Sequence, residues 1–189
     1  MLESMKRQRI FFDLDGVLAV WQHAPIEEVA MPGYFSALPE QENVVKAFKL
    51  MRECSDIELY ILSSVFVNGH SEADKRTWVS VHLNLPEAQQ IYCPYGQEKA
   101  AALEKIGGAD KSDVLLDDFS RNLRSWPGIP IKLYNGINGT KGSWDGYSVH
   151  ASMKPEILAR RLYIMAHFGL EQRHHRAAWP PEDSPRWVF

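Results

Sequence analysis

At 189 residues the chain fits one domain, 1–189, with room for a small insertion, and 45% apolar with 24% charged residues suits an ordinary globular core. A net charge of -3 and a pI near 6.2 argue against a nucleic-acid backbone as the main partner. No run reaches the length of a membrane span, and neither Cys54 nor Cys93 has a CxxC partner, so a cytoplasmic protein with free thiols is the expectation.

The basic start, Lys6, Arg7 and Arg9, lacks the following apolar stretch of a signal peptide and reads as a solvated lead-in. Arg9 to Leu14 reads as a buried parallel strand closing on two acids, Asp13 and Asp15, before Gly16 breaks it. An i, i+2 spacing in a continuing strand would put both acids on one face. Acids that close repel unless a positive charge lies beside them. Residues 19–40 carry Trp21, Pro25, Pro32, Gly33, Tyr34, Phe35 and Pro39, too irregular for a long helix, and read as a small cap over the strand ends. Its aromatics Trp21, Tyr34 and Phe35 offer a stacking surface for a flat ligand.

Gln41 to Glu53 repeats apolar residues at helical spacing (Val44, Val45, Phe48, Met51). A second strand, Ile57 to Leu62, runs into Ser63 and Ser64, and a helix pattern follows over Ser71 to Leu83. Gln90 to Tyr92 predicts a third strand, Gln97 to Ile106 a helix with Lys99 in its first turn, and Asp113 to Leu116 a fourth strand ending in Asp117 and Asp118. Ile129 to Tyr134 predicts a fifth strand, the Gly-rich stretch from Asn135 a long loop, and Lys154 to His167 a terminal helix. Residues 170–189 read as an irregular tail in which Arg173 to Arg176 is a solvated helix end.

Strands alternating with helices predict an α/β protein, a doubly wound parallel sheet with a small cap after the first strand. Ligands of such a sheet bind outside the carboxyl ends of its strands, where the two acidic pairs and the two serines fall. Chain direction chooses Lys99 as the cation that joins them, because Lys105 and Lys111 lie at the far edge. Carboxylates without a soft ligand nearby imply Mg²⁺. Metal, ammonium and amide donors together suit a phosphoryl group. Ser63 has no GxSxG context, the histidines form no HExxH set, and Gly136 to Gly142 lacks a P-loop Gly-Lys-Ser/Thr.

These residues resemble the haloacid dehalogenase (HAD) superfamily at all four of its motifs: Asp13-Leu14-Asp15-Gly16-Val17, Ile61-Leu62-Ser63, Lys99, and Asp117-Asp118. The match runs from about residue 9 to 134 and implies a HAD-like Rossmannoid fold. It further implies a Mg²⁺-dependent phosphatase in which Asp13 is the nucleophile and a metal ligand. Asp15 would be the general acid and base, with its main-chain carbonyl on the metal. Ser63 and the Ser64 amide would hold phosphate, Lys99 would bridge Asp13 and phosphate, and Asp118 would bind the metal directly with Asp117 behind it. Within the superfamily, the small cap and Pro32-Gly33-Tyr34-Phe35 followed by Leu38-Pro39 are similar to the 5'(3')-deoxyribonucleotidase group, although Ser63-Ser64-Val65 stands where that group commonly has Thr-Ser-Pro. The expected partner is therefore a small phosphomonoester, foremost a (deoxy)nucleoside monophosphate. Sugar phosphates, a nucleic-acid end and a catalytically silent phosphate-binding module are the alternatives.

Overall fold

The computed structural model describes residues 7–67, 69–137 and 144–169. The tail 170–189 and residues 138–143 of the Gly-rich stretch lie outside them. Six strands, β1 (Gln8–Phe12), β2 (Ile57–Val65), β3 (Gln90–Pro94), β4 (Val114–Asp117), β5 (Ile129–Tyr134) and β6 (Tyr147–His150), form one sheet. All neighbours pair parallel in the order β3-β2-β1-β4-β5-β6, so the order reverses between β1 and β4. That reversal opens a crevice at the carboxyl ends of the two central strands.

The strands at the centre are apolar on both faces because both are covered. Ile10, Phe11 and Phe12 of β1 are fully buried, each contributing about 1.5–3 kcal/mol. Phe11 stacks on Tyr60 at 5.0 Å in one layer, with the 3₁₀ helix Lys99–Ile106 and α4 (Ser120–Arg124) over it through Leu103 and Leu123. Ile10 and Phe12 face the other layer, built from α2 (Glu42–Met51), α3 (Ser71–His82) and α5 (Pro155–Phe168). There Phe12 meets Phe48 edge-on at 5.0 Å, and Val44, Val45, Phe48 and Met51 are the buried stripe of α2, as their spacing predicts.

Four local expectations are corrected. The helix predicted from Gln97 starts two residues later and is 3₁₀, because Gly96 (φ +89°) and the Gln97 N–H bond to Pro94 O hold a turn at its entry. Gly107 and Gly108, both left-handed, close its other end. Arg9 is no solvated lead-in: its guanidinium forks onto Asp113 at 2.5 and 2.9 Å and donates to Ile106 O and Gly108 O, tying the amino edges of β1 and β4 together. The strand β6 and the helix α4 have no counterpart among the predicted elements. One is an edge strand whose only buried residue is Val149, and the other spans too few residues to show a period.

The 19–40 insertion leaves and rejoins the core through an antiparallel bridge, Ala19 to Glu40, and contains a one-turn helix, α1 (Ile26–Val29). It is pinned on α3: Gly33 N–H donates to Asp74 Oδ2 at 2.8 Å and Trp78 Nε1 to Leu38 O at 2.7 Å. Phe35 at 3% exposure belongs to the main core. Among the described residues no helix is long and apolar enough to cross a membrane, and Cys54 and Cys93 are free thiols.

Candidate active site

The strand ends deliver their polar groups to one place because parallel strands finish at the same edge. Asp13 follows β1, its N–H still in the ladder with Leu116 O at 3.0 Å. Asp117 closes β4 and Asp118 follows it. Carboxylate oxygens of Asp13, Asp117 and Asp118 lie within 4.8 Å of one another, and all three side chains are buried.

Lys99 enters from the 3₁₀ helix, itself 2% exposed, and bridges the cluster. Its Nζ is 2.9 Å from Asp13 Oδ1 and 2.7 Å from Asp117 Oδ2. Burial works against the ammonium, but Asp117 and Asp13 outweigh it, and its pKa is raised. Lys99 thus reaches Asp13 and Asp117, whereas Asp15 is met by a second lysine, Lys75.

Asp117 and Asp118 differ in their surroundings. Asp117 Oδ2 also accepts from Asn122 Nδ2 at 2.9 Å, and its Oδ1 accepts from Phe119 N–H at 2.7 Å. Asp118 accepts from Asn135 Nδ2 at 2.8 Å, an amide that also donates to Gly16 O at 2.7 Å. Burial, then the charges of Asp117 and Asp13, push the Asp118 carboxyl up to about 8. Lys132 of β5, also buried, donates to Asp118 O and, at 3.1 Å, to Ser120 Oγ, fixing the turn that carries Asp118.

A buried all-oxygen cluster of like charges matches the donor set of a hard divalent cation. A cation such as Mg²⁺ fits this donor set: Asp13 and Asp118 could hold it directly, whereas Asp117 is already engaged by Lys99, Asn122 and the Phe119 N–H. The raised Asp118 pKa has a measurable consequence. Without metal, the stability linked to this group is fully present below the ordinary carboxylate range and is lost as pH rises through about 8. Metal needs the ionised form, so the Tm gain from saturating Mg²⁺ is expected to grow between about pH 6 and about pH 8. A gain that is the same at both pH values would contradict the assignment.

Asp15 takes another direction. Its Oδ2 is 2.5 Å from Nζ of Lys75 in α3, while its Oδ1 is buried with no hydrogen-bond partner. Burial raises the Asp15 pKa and Lys75 opposes the rise. Ser63 is fully buried with its Oγ 3.2 Å from the same Lys75 Nζ, and Ser64 borders the cavity with its hydroxyl 3.6 Å from Cys93 Sγ.

A cavity of about 220 Å³ opens above Asp13, Asp15 and Asp118, walled by Trp21, Phe35, Phe66, Tyr95 and Phe119. Tyr34 does not join them. Its hydroxyl donates to Gln22 O at 2.5 Å, and its ring borders a separate hollow made only of cap residues. Phe66, Tyr95 and Phe119 were legible in principle, since each sits within two residues of a strand's carboxyl end. Asn122, Asn135, Lys132 and Lys75 carried weaker signals: a lysine inside an apolar strand and another on the apolar stripe of a helix.

No family model matches the sequence, and no curated protein matches it. Among solved structures, a candidate HAD-like phosphatase of Mesorhizobium loti superimposes with a TM-score of 0.55 at 12% identity, over 82% of this chain and 85% of that one. The chain shares the α/β fold of that structure, an all-parallel six-stranded sheet with helices. A structure of DsGPDH from Dunaliella salina aligns with a TM-score of 0.47 at 16% identity, over 76% of this chain and 27% of that one, too distant to carry an argument.

Proposed function

We propose that the chain is a Mg²⁺-dependent phosphomonoester hydrolase that works through an aspartyl-phosphate on Asp13. The observation that supports it most is the placement of Asp13 at the sheet's reversal point, 2.9 Å from the Lys99 ammonium and clustered with Asp117 and Asp118. A lone acid at a strand end needs neither.

In this reading an Asp13 oxygen attacks phosphorus in line and the ester P–O bond breaks. Protonated Asp15 gives its proton to the departing oxygen. It then takes one from the water that attacks the aspartyl-phosphate, releasing inorganic phosphate and restoring Asp13. Lys99 offsets the negative charge that gathers between Asp13 and the phosphoryl oxygens. Ser63 and the Ser64 amide are the groups at the end of β2 assigned to phosphate. Mg²⁺, held by Asp13, the Asp15 carbonyl and Asp118, would add charge neutralisation on the phosphoryl oxygens.

The substrate proposed is a (deoxy)nucleoside monophosphate. The cavity walls are chiefly aromatic, and Tyr95 and Phe119 expose 75% and 50% of their surface at its mouth. Rings so exposed suit a flat leaving group better than a sugar, and a stacked base is worth about 1–3 kcal/mol. The test is phosphate release from a panel of nucleoside monophosphates, sugar phosphates and a generic aryl phosphate, with and without Mg²⁺. Metal-dependent release with nucleotides preferred is expected. No release from any of them would leave a binding module, and preference for sugar phosphates would move the substrate class.

The wall residues provide a sharper check. Alanine at Trp21, Phe66, Tyr95 or Phe119 is expected to lower kcat/KM for the preferred nucleotide by roughly tenfold or more at one position at least, with little change for the aryl phosphate. Tyr34→Ala is expected to leave the preference intact. A reversed pattern would return the specificity role to the cap's outer face.

A further inference from the structure

Lys75 stands out because no step above uses it. It sits on the buried stripe of α3 with Ser71, Trp78 and Val79, where an apolar side chain would be ordinary, and is 1% exposed. An ammonium has three donors, and here they meet three acceptors: Asp15 Oδ2 at 2.5 Å, Ser64 O at 2.5 Å and Ser63 Oγ at 3.2 Å. The ring of Phe35, from the cap, lies 4.6 Å from the same nitrogen. One buried cation thus touches the loop after β1, the end of β2 and the cap together. Lys99 already serves Asp13 and Asp117, so Lys75 does not duplicate it.

Building on the acid–base role given to Asp15 under Proposed function, we propose that Lys75 is a positioning residue that fixes the Asp15 carboxylate. It grips Oδ2, while Oδ1 is buried without a hydrogen-bond partner, so the lysine sets how the carboxyl group faces the cavity that Asp15 borders. A carboxylate at the mouth of a loop has rotational freedom, and a proton donor must lie within hydrogen-bond reach of the departing oxygen. The ammonium removes that freedom by gripping one oxygen. Because Phe35 packs over Nζ, the docked cap keeps the grip in place. A purely structural lysine would stabilise the fold equally for every substrate. A positioning lysine matters most where Asp15 matters, beyond any smaller loss shared by both substrates through Ser63 and Ser64.

The experiment is a double-mutant cycle of Lys75→Met and Asp15→Asn, read with two monoesters of different leaving-group quality, an alkyl phosphate and an activated aryl phosphate. Met is close to lysine in length and keeps the packing under Phe35. Lys75→Met is expected to lower kcat/KM for the alkyl ester by about 100-fold or more and for the aryl ester by less than about tenfold. In the Asp15→Asn background it is expected to add less than about threefold on either ester. Equal losses on both esters, or losses that simply add, would overturn the proposal. If Lys75→Met does not fold, Lys75→Gln, which keeps a donor for Ser64 O, is read in the same cycle against the same two criteria. Wild type and Asp15→Asn alone separate the two claims. Inactive wild type, or an Asp15→Asn loss equal on both esters, sinks the acid–base reading. A leaving-group-dependent Asp15→Asn beside an indifferent Lys75 variant sinks only the role of Lys75.

Discussion

Asp13→Asn is expected to reduce turnover below about a thousandth of wild type, a loss of roughly 4 kcal/mol in transition-state stabilisation at ~1.4 kcal/mol per tenfold, while the protein stays folded. The substitution is nearly isosteric. An asparagine oxygen can still accept the Leu14 N–H that Asp13 Oδ1 accepts at 2.8 Å, and Lys99 keeps Asp117 at 2.7 Å. What disappears is the charge of the oxygen proposed to attack and one carboxylate of the cluster proposed to hold the metal. The neighbouring acids are otherwise engaged: Asp117 is held by Lys99, Asn122 and Phe119 N–H, Asp15 by Lys75, and Asp118 accepts from Asn135. Stability should move the other way. Asp13 is among the charges that raise the Asp118 pKa, so removing it relieves repulsion in the metal-free protein. The metal-free Tm is therefore expected to hold or rise, and the Tm gain from Mg²⁺ to shrink. Residual activity above about a hundredth of wild type would exclude Asp13 as the nucleophile.

The fold was legible where burial on two faces writes itself into the sequence. Ile10 to Phe12, Ile57 to Leu62 and Val114 to Leu116 are near-continuous apolar runs because the sheet is covered above and below, and their order along the chain carries the parallel topology. Tyr147 to His150 escaped for the opposite reason, an edge strand with one buried residue, which periodicity cannot separate from a loop. Of the candidate site, the strand-end rule brings together Asp13, Asp15, Asp117, Asp118 and Lys99, since their placement depends only on chain direction. The groups that orient them depend on packing. Lys75 meets Asp15 across sixty residues of sequence, and Asn135 meets Gly16 across 119. No local pattern encodes such pairs. The cap aromatics were half legible: Trp21 and Phe35 reach the cavity, whereas the neighbouring Tyr34 turns to Gln22 O. Adjacent residues of a turn point apart, and composition cannot say which way.

Gly16→Ala is expected to disable the site as thoroughly as the loss of a ligand, although glycine touches no substrate in the mechanism. Gly16 has φ +76°, a conformation that an alanine there adopts only with strain, of the order of 1 kcal/mol. Space is the larger obstacle. A Cβ built on Gly16 lies 2.1 Å from Asp118 Oδ2, 2.7 Å from Asp118 Cγ and 3.1 Å from Asn135 Nδ2. Asp118 has a short side chain, is 4% exposed and accepts from Asn135, and its main-chain carbonyl is held by Lys132, so it cannot swing aside cheaply. The methyl group must displace the carboxylate assigned to the metal, or push the loop that carries Asp13 and Asp15 away from β4. Either motion separates Asp13 from Asp118. Displacing groups that orient a metal ligand typically lowers metal affinity by ~10–100-fold, and moving the ligand itself should reach at least the upper end of that range. Mg²⁺ titration followed by Tm is therefore expected to show a midpoint shifted upward by about 100-fold, with turnover reduced in parallel at limiting metal. An alanine variant with the wild-type Mg²⁺ midpoint would mean that Asp118 does not hold the metal, and that Gly16 is there only to turn the chain.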